Sequence, residues 1–473
     1  MRILAIDQGT SGTKAIVVED GSVVSLAEVA VHPSYPEPGA VEQDPHELLD
    51  SVLSAGRQAL AAAGGIADAV ALANQGETVL AWDPNSGRPL SPAIVWQDSR
   101  AQSICDELSD HADFVSARTG LVLDPYFSAP KAAWLRRHHT TEGVVTTSDS
   151  WLVHQLTGEF VTDVATASRS LLLDLDAVAW DPELLNLFGL AAEQLPTLVS
   201  NDEVVGATSA FGAEAPLAGL VVDQQAALLA EACLQPGNTK CTYGTGAFLL
   251  SNTGQIATRS QHGLTSSVAW RTRYGTQYCL DGQVFTAASA VQWMVEIGLL
   301  DDVRALDSAA APESGDVRFV PALAGLAAPW WRSGARGTFV GLSLATTRGQ
   351  LVRAVIEGLA ATIAALVAVV ADDTGTRPTT LRVDGGLTHS RVLMQAQADI
   401  LQVPIEVYPS AHATALGAAA LATVAVAPKA TLAEALSPWS PVTVYEPRWS
   451  TDRAVDFMAK WRTVADRVAE DHA

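Results

Sequence analysis

Three short turns carry the residue types that phosphate chemistry requires. They are Asp7-Gln-Gly-Thr-Ser-Gly-Thr13, Thr242-Tyr-Gly-Thr-Gly246 and Asp384-Gly-Gly386. Glycine lets backbone N–H groups approach an anion closely and hydroxyls add further donors, so turns of this kind can cradle phosphoryl oxygens. Two carboxylates also stand at the ends of apolar runs, Asp7 after ILAI and Asp223 after LVV. Beside phosphates, such a pair could hold Mg²⁺, which takes one or two carboxylates plus phosphate oxygens. One of them could also accept a proton from an attacking hydroxyl. Each feature alone has a plainer reading, because Gly-rich turns mostly just turn and a carboxylate after a strand often only caps the next turn. Dinucleotide-binding and Walker spacings are absent. No nucleophile elbow occurs, and His154, His389 and His412 lie far apart in the chain.

A further polar cluster interrupts two apolar runs in ALANQGETVLAWD, Ala71 to Asp83. Asn74, Gln75, Glu77 and Thr78 all want hydrogen bonds, and leaving one buried without a partner costs roughly 1–3 kcal/mol. They must pair within the protein or bind something else. Trp96 in AIVWQDSR sits beside Gln97, Asp98 and Arg100 directly after an apolar run, whereas Trp82, Trp134 and Trp293 are expected to pack cores.

The elements that must position these residues follow from periodicity. ILAI, the first turn, KAIVVEDGSVVSLAEV and its internal turn read as a β-meander, with no helix opening after the glycines. KCTYGTGAFLLSNTG, Lys240 to Gly254, repeats the plan of two short apolar strands around a Gly-Thr turn, which suggests two halves built alike. The breakers in LQPG, 234–237, place the boundary, giving an N-terminal domain 1–234 and a C-terminal domain 235–473. The apolar run Gly358–Ala371 is short of a membrane span and continues a pattern begun at Leu351, so it reads as a core helix. Thr347 and Gln350 are placed for its capping box and Gly375 lies beyond its end. A second helix is expected from about Ser390 to Ile400, and a third, amphipathic, from about Ser450.

At 473 residues the chain exceeds what one core supports. A net charge of −23 argues against nucleic acid or an anionic membrane as partner, since both need a basic face. Four scattered cysteines without Cys-x-x-Cys spacing, and no basic-then-apolar leader, point to reduced thiols in a cytoplasm.

These segments, in this order, resemble the FGGY family of carbohydrate kinases, and within it the glycerol kinases most closely. The resemblance is carried by AIDQGTSGTKAIV, NQGETVLAWD, AIVWQDSRA, VVDQQAALL, TYGTGAFLLSNTG and LRVDGGLTHSRVLMQAQADIL, with the two signature regions at Tyr126–His138 and Gly337–Glu357. It implies an α/β fold of two RNase H-like, actin-like ATPase domains with the active site in the cleft between them. It further implies ATP and Mg²⁺, a homodimer, and transfer of a phosphoryl group to a primary hydroxyl of a small polyol or sugar. Glycerol is the first choice; erythritol, xylitol, xylulose and ribulose are alternatives, and a non-catalytic ATP-binding protein is the remote one.

Residue by residue, the resemblance assigns the general base to Asp223, which also binds the substrate, and the first phosphate motif to Asp7; these two are the carboxylates read above as a metal pair. Glu77, Trp96, Tyr126, Gln224 and Phe285 fall where the substrate is surrounded, with Gly76 beside them. Thr10, Ser11, Lys14, Gly244, Thr245, Gly246, Gly385, Gly386 and Ser390 fall where ATP is bound. Two departures stand out: Gly76 replaces the usual Arg, removing a fork of donors, and Ser390 replaces the usual Asn. The segment before Asp223 also lacks the Arg-bearing loop associated with inhibition by fructose bisphosphate.

Overall fold

The computed structural model describes residues 1–471. Strand β1 (Arg2–Gln8), β2 (Gly12–Glu19) and β3 (Ser22–Ala30) form the meander, paired antiparallel in chain order. After helix α1 (Pro45–Ala62), β4 (Ala69–Asn74) adds parallel to β1, and β5 (Ala215–Val222) adds parallel to β4. Every residue of β4 is buried, as a strand covered on both faces must be. Helix α2 (Asp223–Ala230) follows β5 without a loop, so Asp223 is its first residue.

The second half repeats this order. Strands β6 (Thr239–Tyr243), β7 (Ala247–Gly254) and β8 (Gly275–Val284) pair antiparallel, then β9 (Leu381–Asp384) runs parallel to β6, and β10 (Ile405–Val407) parallel to β9. The sequence β3-β2-β1-β4-β5 in one sheet thus matches β8-β7-β6-β9-β10 in the other. Each half is an RNase H-like α/β unit, and the pair makes the actin-like ATPase fold.

Helix α3 (Arg348–Thr374) is the backbone of the second core. Both arms of its capping box are present: Gln350 N–H donates to Thr347 Oγ1 and Thr347 N–H to Gln350 Oε1, and Gly375 ends the helix in the left-handed region. Among the described residues it is the one helix long and apolar enough to cross a membrane, and it is buried inside the fold. Helix α4 (Arg391–Leu401) follows β9, and α6 (Thr451–Glu470) closes the chain against the same core.

The helix between them, α5 (Ala413–Val426), does not stay with its own half. Its alanines Ala415, Ala418, Ala419 and Ala422 pack on Ile3, Ala5, Ala71 and Ala73 of the first sheet. A cut at 234/235 separates the strands of the two sheets but not the helices that cover them. Small residues are what let α5 lie so close. A Cβ on Gly417 would stand 1.9 Å from the carbonyl oxygen of Ala226 in α2. Gly417→Ala therefore forces α2 and α5 apart, an overpacking cost of about 1–3 kcal/mol. The midpoint of thermal unfolding is expected to drop by several degrees, and turnover to drop with it because α2 begins at Asp223; an unchanged melt would mean the two helices do not pack this closely.

Candidate active site in the interdomain cleft

A cavity of about 350 Å³ lies between the two sheets. The first half contributes Thr10, Glu77, Trp96, Tyr126 and Asp223 to its walls, and the second contributes Thr245, Phe248 and Asp281. Thr10, Glu77 and Asp223 stand where strands of the first sheet end, Thr245 and Phe248 at the second Gly-Thr turn, Tyr126 on the loop before helix Ser128–His138, and Asp281 within β8.

The polar cluster after β4 is largely satisfied from within. Gln75 Nε2 donates to Gln43 Oε1 at 2.7 Å, and its Oε1 accepts from the Thr10 hydroxyl at 3.0 Å. Asn74 Oδ1 accepts from the Thr166 hydroxyl at 3.2 Å. The Thr10 hydroxyl in turn accepts from Trp96 Nε1 at 2.9 Å, so this side chain ties the first turn to the Trp96 wall. Its hydroxyl is committed to those two partners. What the first turn offers to phosphate is the backbone N–H of Thr10 and Ser11, which have no protein acceptor among the described residues.

Glu77 behaves differently from its neighbours. Its backbone has a φ of 59°, a conformation unusual for a non-glycine residue and one that clusters at functional sites. Its carboxylate Oε1 accepts from Arg169 Nε at 2.6 Å, while Oε2 has no partner among the described residues. Arg169 is the residue that sequence reasoning missed. It follows the short helix Val164–Ala167, which Asp163 caps by accepting from the N–H groups of Ala165 and Thr166. Its Nη1 reaches Asp281 Oδ2 on β8, so one buried guanidinium joins a carboxylate from each half. Burial pushes the Glu77 carboxyl up, and Arg169 opposes that shift. The available signal was a lone cation in the small-residue run DVATASRS.

The apolar cover consists of Trp96, Tyr126 and Phe248. Trp96 meets the rings of Tyr126 and Phe248 edge-on, at centroid distances of 5.6 and 6.1 Å. Phe248, not Phe285, completes this wall. Phe285 follows β8 and packs with Trp331 against the cluster around Phe127, outside the cavity. The loop bearing Tyr126 is fixed by Lys131, whose buried ammonium donates to the carbonyls of Pro125, Tyr126 and Phe127 at 2.9, 2.5 and 2.7 Å. Burial brings that ammonium down to about 8.

Asp223 and Gln224 complete the lining, with Lys240 and Asp7 behind them. Asp223 Oδ1 accepts from the Gln224 N–H at 2.7 Å, and burial pushes its carboxyl up. Gln224 Oε1 accepts from Lys240 Nζ at 2.6 Å, which turns its N–H₂ toward Asp223, where one N–H donates to Oδ2 at 3.4 Å and the other is left to donate. Lys240, itself buried, was also not singled out from sequence. Asp7 is raised to about 7 by burial and then by the charge of Asp223. Lys14 faces Asp7 across the β1–β2 ladder, but its Nζ stands 3.9 Å from Glu28 and it lines neither this cavity nor the next.

A second cavity, about 700 Å³, adjoins the first at Thr245 and is lined by Leu306, Asp307, Gly386, His389 and Ser390. The carbonyls of Gly244 and Thr245 accept from Ala288 and Ala287 at 3.0 and 2.9 Å. The N–H groups of Gly244, Thr245 and Gly246 have no protein acceptor among the described residues. Gly385 has φ 93°, and a Cβ there would stand 2.4 Å from the Tyr243 carbonyl oxygen, so only glycine brings the β9 turn against the β6–β7 turn. Gly386 opens onto free space. The Ser390 hydroxyl donates to Asp307 at 2.5 Å and caps α4 by accepting from Leu393 N–H at 3.1 Å. It is a structural tie at the cavity wall.

Models of the FGGY family of carbohydrate kinases match both halves, the N-terminal domain over residues 2–230 and the C-terminal domain over residues 239–426. A glycerol kinase of Leptothrix cholodnii is 42% identical, with 97% of each chain covered. The crystal structure of Plasmodium falciparum glycerol kinase with ADP superposes with a TM-score of 0.92 at 30% identity, covering 99% of this chain and 98% of that one. A xylulose kinase from Lactobacillus acidophilus shares the fold at a TM-score of 0.91 and 22% identity, covering 100% and 99%.

Asp7 gives this site a cost that can be measured. Its carboxyl titrates at about 7 in the folded chain against an ordinary 3.8. Between roughly pH 4 and 7 the folded chain holds a proton that the unfolded chain has released, so stability falls as pH rises through that window. Asp7→Asn removes the buried charge. The melting temperature is expected to rise by several degrees at pH 8 and to change little at pH 5, while turnover is lost; equal shifts at both pH values would show that Asp7 does not carry the charge.

Proposed function

Because the chain belongs to the FGGY family of carbohydrate kinases, we propose that this cleft transfers the γ-phosphoryl group of ATP to a primary hydroxyl of glycerol, giving glycerol 3-phosphate. One observation carries the reading. Glu77, Arg169, Asp223 and Gln224 present hydrogen-bonding groups to a cavity that Trp96, Tyr126 and Phe248 also line with aromatic rings. A short polyol has that mixed chemistry, with hydroxyls to pair and C–H groups to cover. The names of the relatives agree, since the Leptothrix protein and the ADP-bound Plasmodium protein are both glycerol kinases.

The steps follow from the groups present. Glu77 Oε2 accepts one hydroxyl proton and the Gln224 amide donates to a second oxygen. Asp223 Oδ2, the oxygen less tightly held, takes the proton of the attacking hydroxyl. The transition state of phosphoryl transfer is loose, so the proton acceptor need not be strongly basic and positioning does most of the work. The N–H groups of the turns at Thr10–Ser11 and Gly244–Gly246 receive phosphoryl oxygens, and the adenosine lies along Gly385–Gly386 in the larger cavity. Asp7 and Asp223 suit Mg²⁺: both are hard oxygen donors, and the charge of Asp223 makes Asp7 hold its proton more tightly, as a carboxylate short of a cation does. When bound, Mg²⁺ supplies neutralisation of phosphoryl charge. Walls of Trp96, Tyr126 and Phe248 keep water from the attacking position, without which the site would hydrolyse ATP.

ADP release across glycerol, dihydroxyacetone, erythritol, threitol, xylitol, xylulose and ribulose tests the assignment. Glycerol is expected to give the highest kcat/KM, and Asp223→Ala to abolish turnover with an unchanged melt. No turnover with any of these compounds would refute the kinase reading. A preference of about tenfold for a four- or five-carbon compound would move the assignment to a longer polyol. One observation favours that second reading. Gly76 leaves the wall beside Glu77 without a side chain, and a Cβ there meets only Val222 Cγ2, at 3.0 Å. Gly76→Arg needs Val222 to yield by a few tenths of an ångström. It is then expected to shift the kcat/KM ratio toward three-carbon substrates by about tenfold; an unmoved ratio would mean position 76 does not touch the substrate.

A further inference from the structure

Arg169 occupies the floor of the cleft in a way that neutralising two carboxylates does not explain. Its side chain is 5% exposed, and what exposure remains faces the cavity that holds Glu77, Tyr126 and Asp223. Nε is engaged with Glu77 and Nη1 with Asp281. Nη2 has no acceptor among the described residues, and it is not sealed from the cavity. A guanidinium holds its five N–H donors in a rigid plane, so fixing two nitrogens fixes the third.

The anchors are themselves immobile. Asp281 Oδ1 accepts from Thr265 Oγ1 and from Gln283 Nε2, so the carboxylate cannot rotate away from Arg169. On the backbone side, Arg169 N–H donates to Thr166 at 3.0 Å, and the neighbouring Ser168 hydroxyl accepts from Val268 N–H of the second sheet at 3.0 Å. The ring of Phe127 lies beneath the guanidinium, with Cζ 5.4 Å from its centroid. A donor held this rigidly and left open to a cavity is preorganised for an oxygen acceptor there.

We propose that Arg169 is the specificity-determining donor for a non-reacting hydroxyl of the polyol, with Nη2 binding that oxygen while Nε and Nη1 lock Glu77 and Asp281 around it. This rests on the polyol-kinase reading above. It places on the segment Val164–Ser170 the donor fork that Gly76 does not provide, and it makes recognition of the substrate depend on both halves together. A compound lacking the hydroxyl leaves Nη2 facing an apolar group, which is the situation in which a polar site discriminates most strongly.

The experiment compares glycerol with 1,2-propanediol and 1,3-propanediol, each lacking one non-reacting hydroxyl, in the full-length wild type and in Arg169→Lys. The lysine keeps the charge and loses the fork. In the wild type kcat/KM is expected to fall by about a hundredfold or more on one analogue. In Arg169→Lys, glycerol should lose most of that advantage, mainly in KM, while the analogue is little affected, so that the glycerol-to-analogue ratio collapses at least about tenfold. A general loosening of the site would lower both compounds alike, and a ratio unmoved within about twofold overturns the proposal. Circular dichroism checks the fold. If Arg169→Lys does not fold, Asp281→Asn serves the same comparison: it releases one anchor of the guanidinium and should shrink the ratio, and an unchanged ratio there overturns the proposal too. Should the wild type phosphorylate no polyol, the parent reading fails and this inference with it; turnover with an unmoved ratio defeats this inference alone.

Discussion

The contact on which the cleft depends is the buried chain of charges Glu77–Arg169–Asp281. Taking three charges out of water costs several kcal/mol per ion, which their attraction recovers only if geometry and further hydrogen bonds are good. Here they are: Asp281 has two more donors on its free oxygen, and Arg169 lies over aromatic rings. Such a chain is weak as a source of stability but strong as a constraint, because breaking any member strands a buried charge. Glu77 sits at the end of a strand in the first sheet and Asp281 on a strand of the second. Their joint requirement for one guanidinium fixes how the two sheets face each other across the substrate cavity.

That constraint acts between two copies of one plan. In each sheet a Gly-Thr turn joins the first two strands, and a parallel strand beside it ends at a second polar turn. Duplication brings two glycine turns to one cavity, Thr10–Ser11 from the first half and Thr245–Gly246 from the second. The helices do not respect the duplication, since α5 from the second half lies on the first sheet and touches α2. Its alanines and Gly417 bring it close enough that Asp223, at the start of α2, is set by packing from both halves.

Local features were legible in the sequence because their physics is local. Turn composition marked where the strands of both sheets end, short apolar runs marked the strands, and the Thr347–Gln350 pair marked the start of the core helix. Features that depend on contacts between distant segments were not. Arg169 lies 92 residues from Glu77 and 112 from Asp281, and nothing around it in DVATASRS says which carboxylates it will meet. Lys240 lies in the strand before the second Gly-Thr turn, and nothing in that strand says its ammonium will meet Gln224. Phe285 and Phe248 both stand shortly after glycines at strand ends, and only the pairing of β7 with β8, Phe248 opposite Gln283, decides which ring reaches the cavity. Resemblance gave the ATP motifs their positions, yet it could not say that the Thr10 hydroxyl holds Trp96, or that Ser390 holds Asp307.

The pattern of satisfied and open groups separates scaffold from chemistry. Gln43, Gln75, Thr10 and Trp96 close on one another, and Lys131 is used up on three carbonyls. Against that background the open groups are few: Glu77 Oε2, Arg169 Nη2 and the N–H groups of the two glycine turns, with the Gln224 amide and Asp223 Oδ2 held only by their own long 3.4 Å hydrogen bond. Buried polar groups without partners are costly in a folded chain, so a set that faces one cavity is best understood as waiting for a ligand that pairs with all of them. The donors among them outnumber the acceptors, which suits a ligand rich in oxygen. Acceptors occur where protons must be received, at Glu77 and Asp223. A polyol beside a triphosphate is the molecule pair whose oxygens and hydroxyl protons match that inventory, and the raised carboxyl of Asp7 marks where the remaining charge has to be balanced.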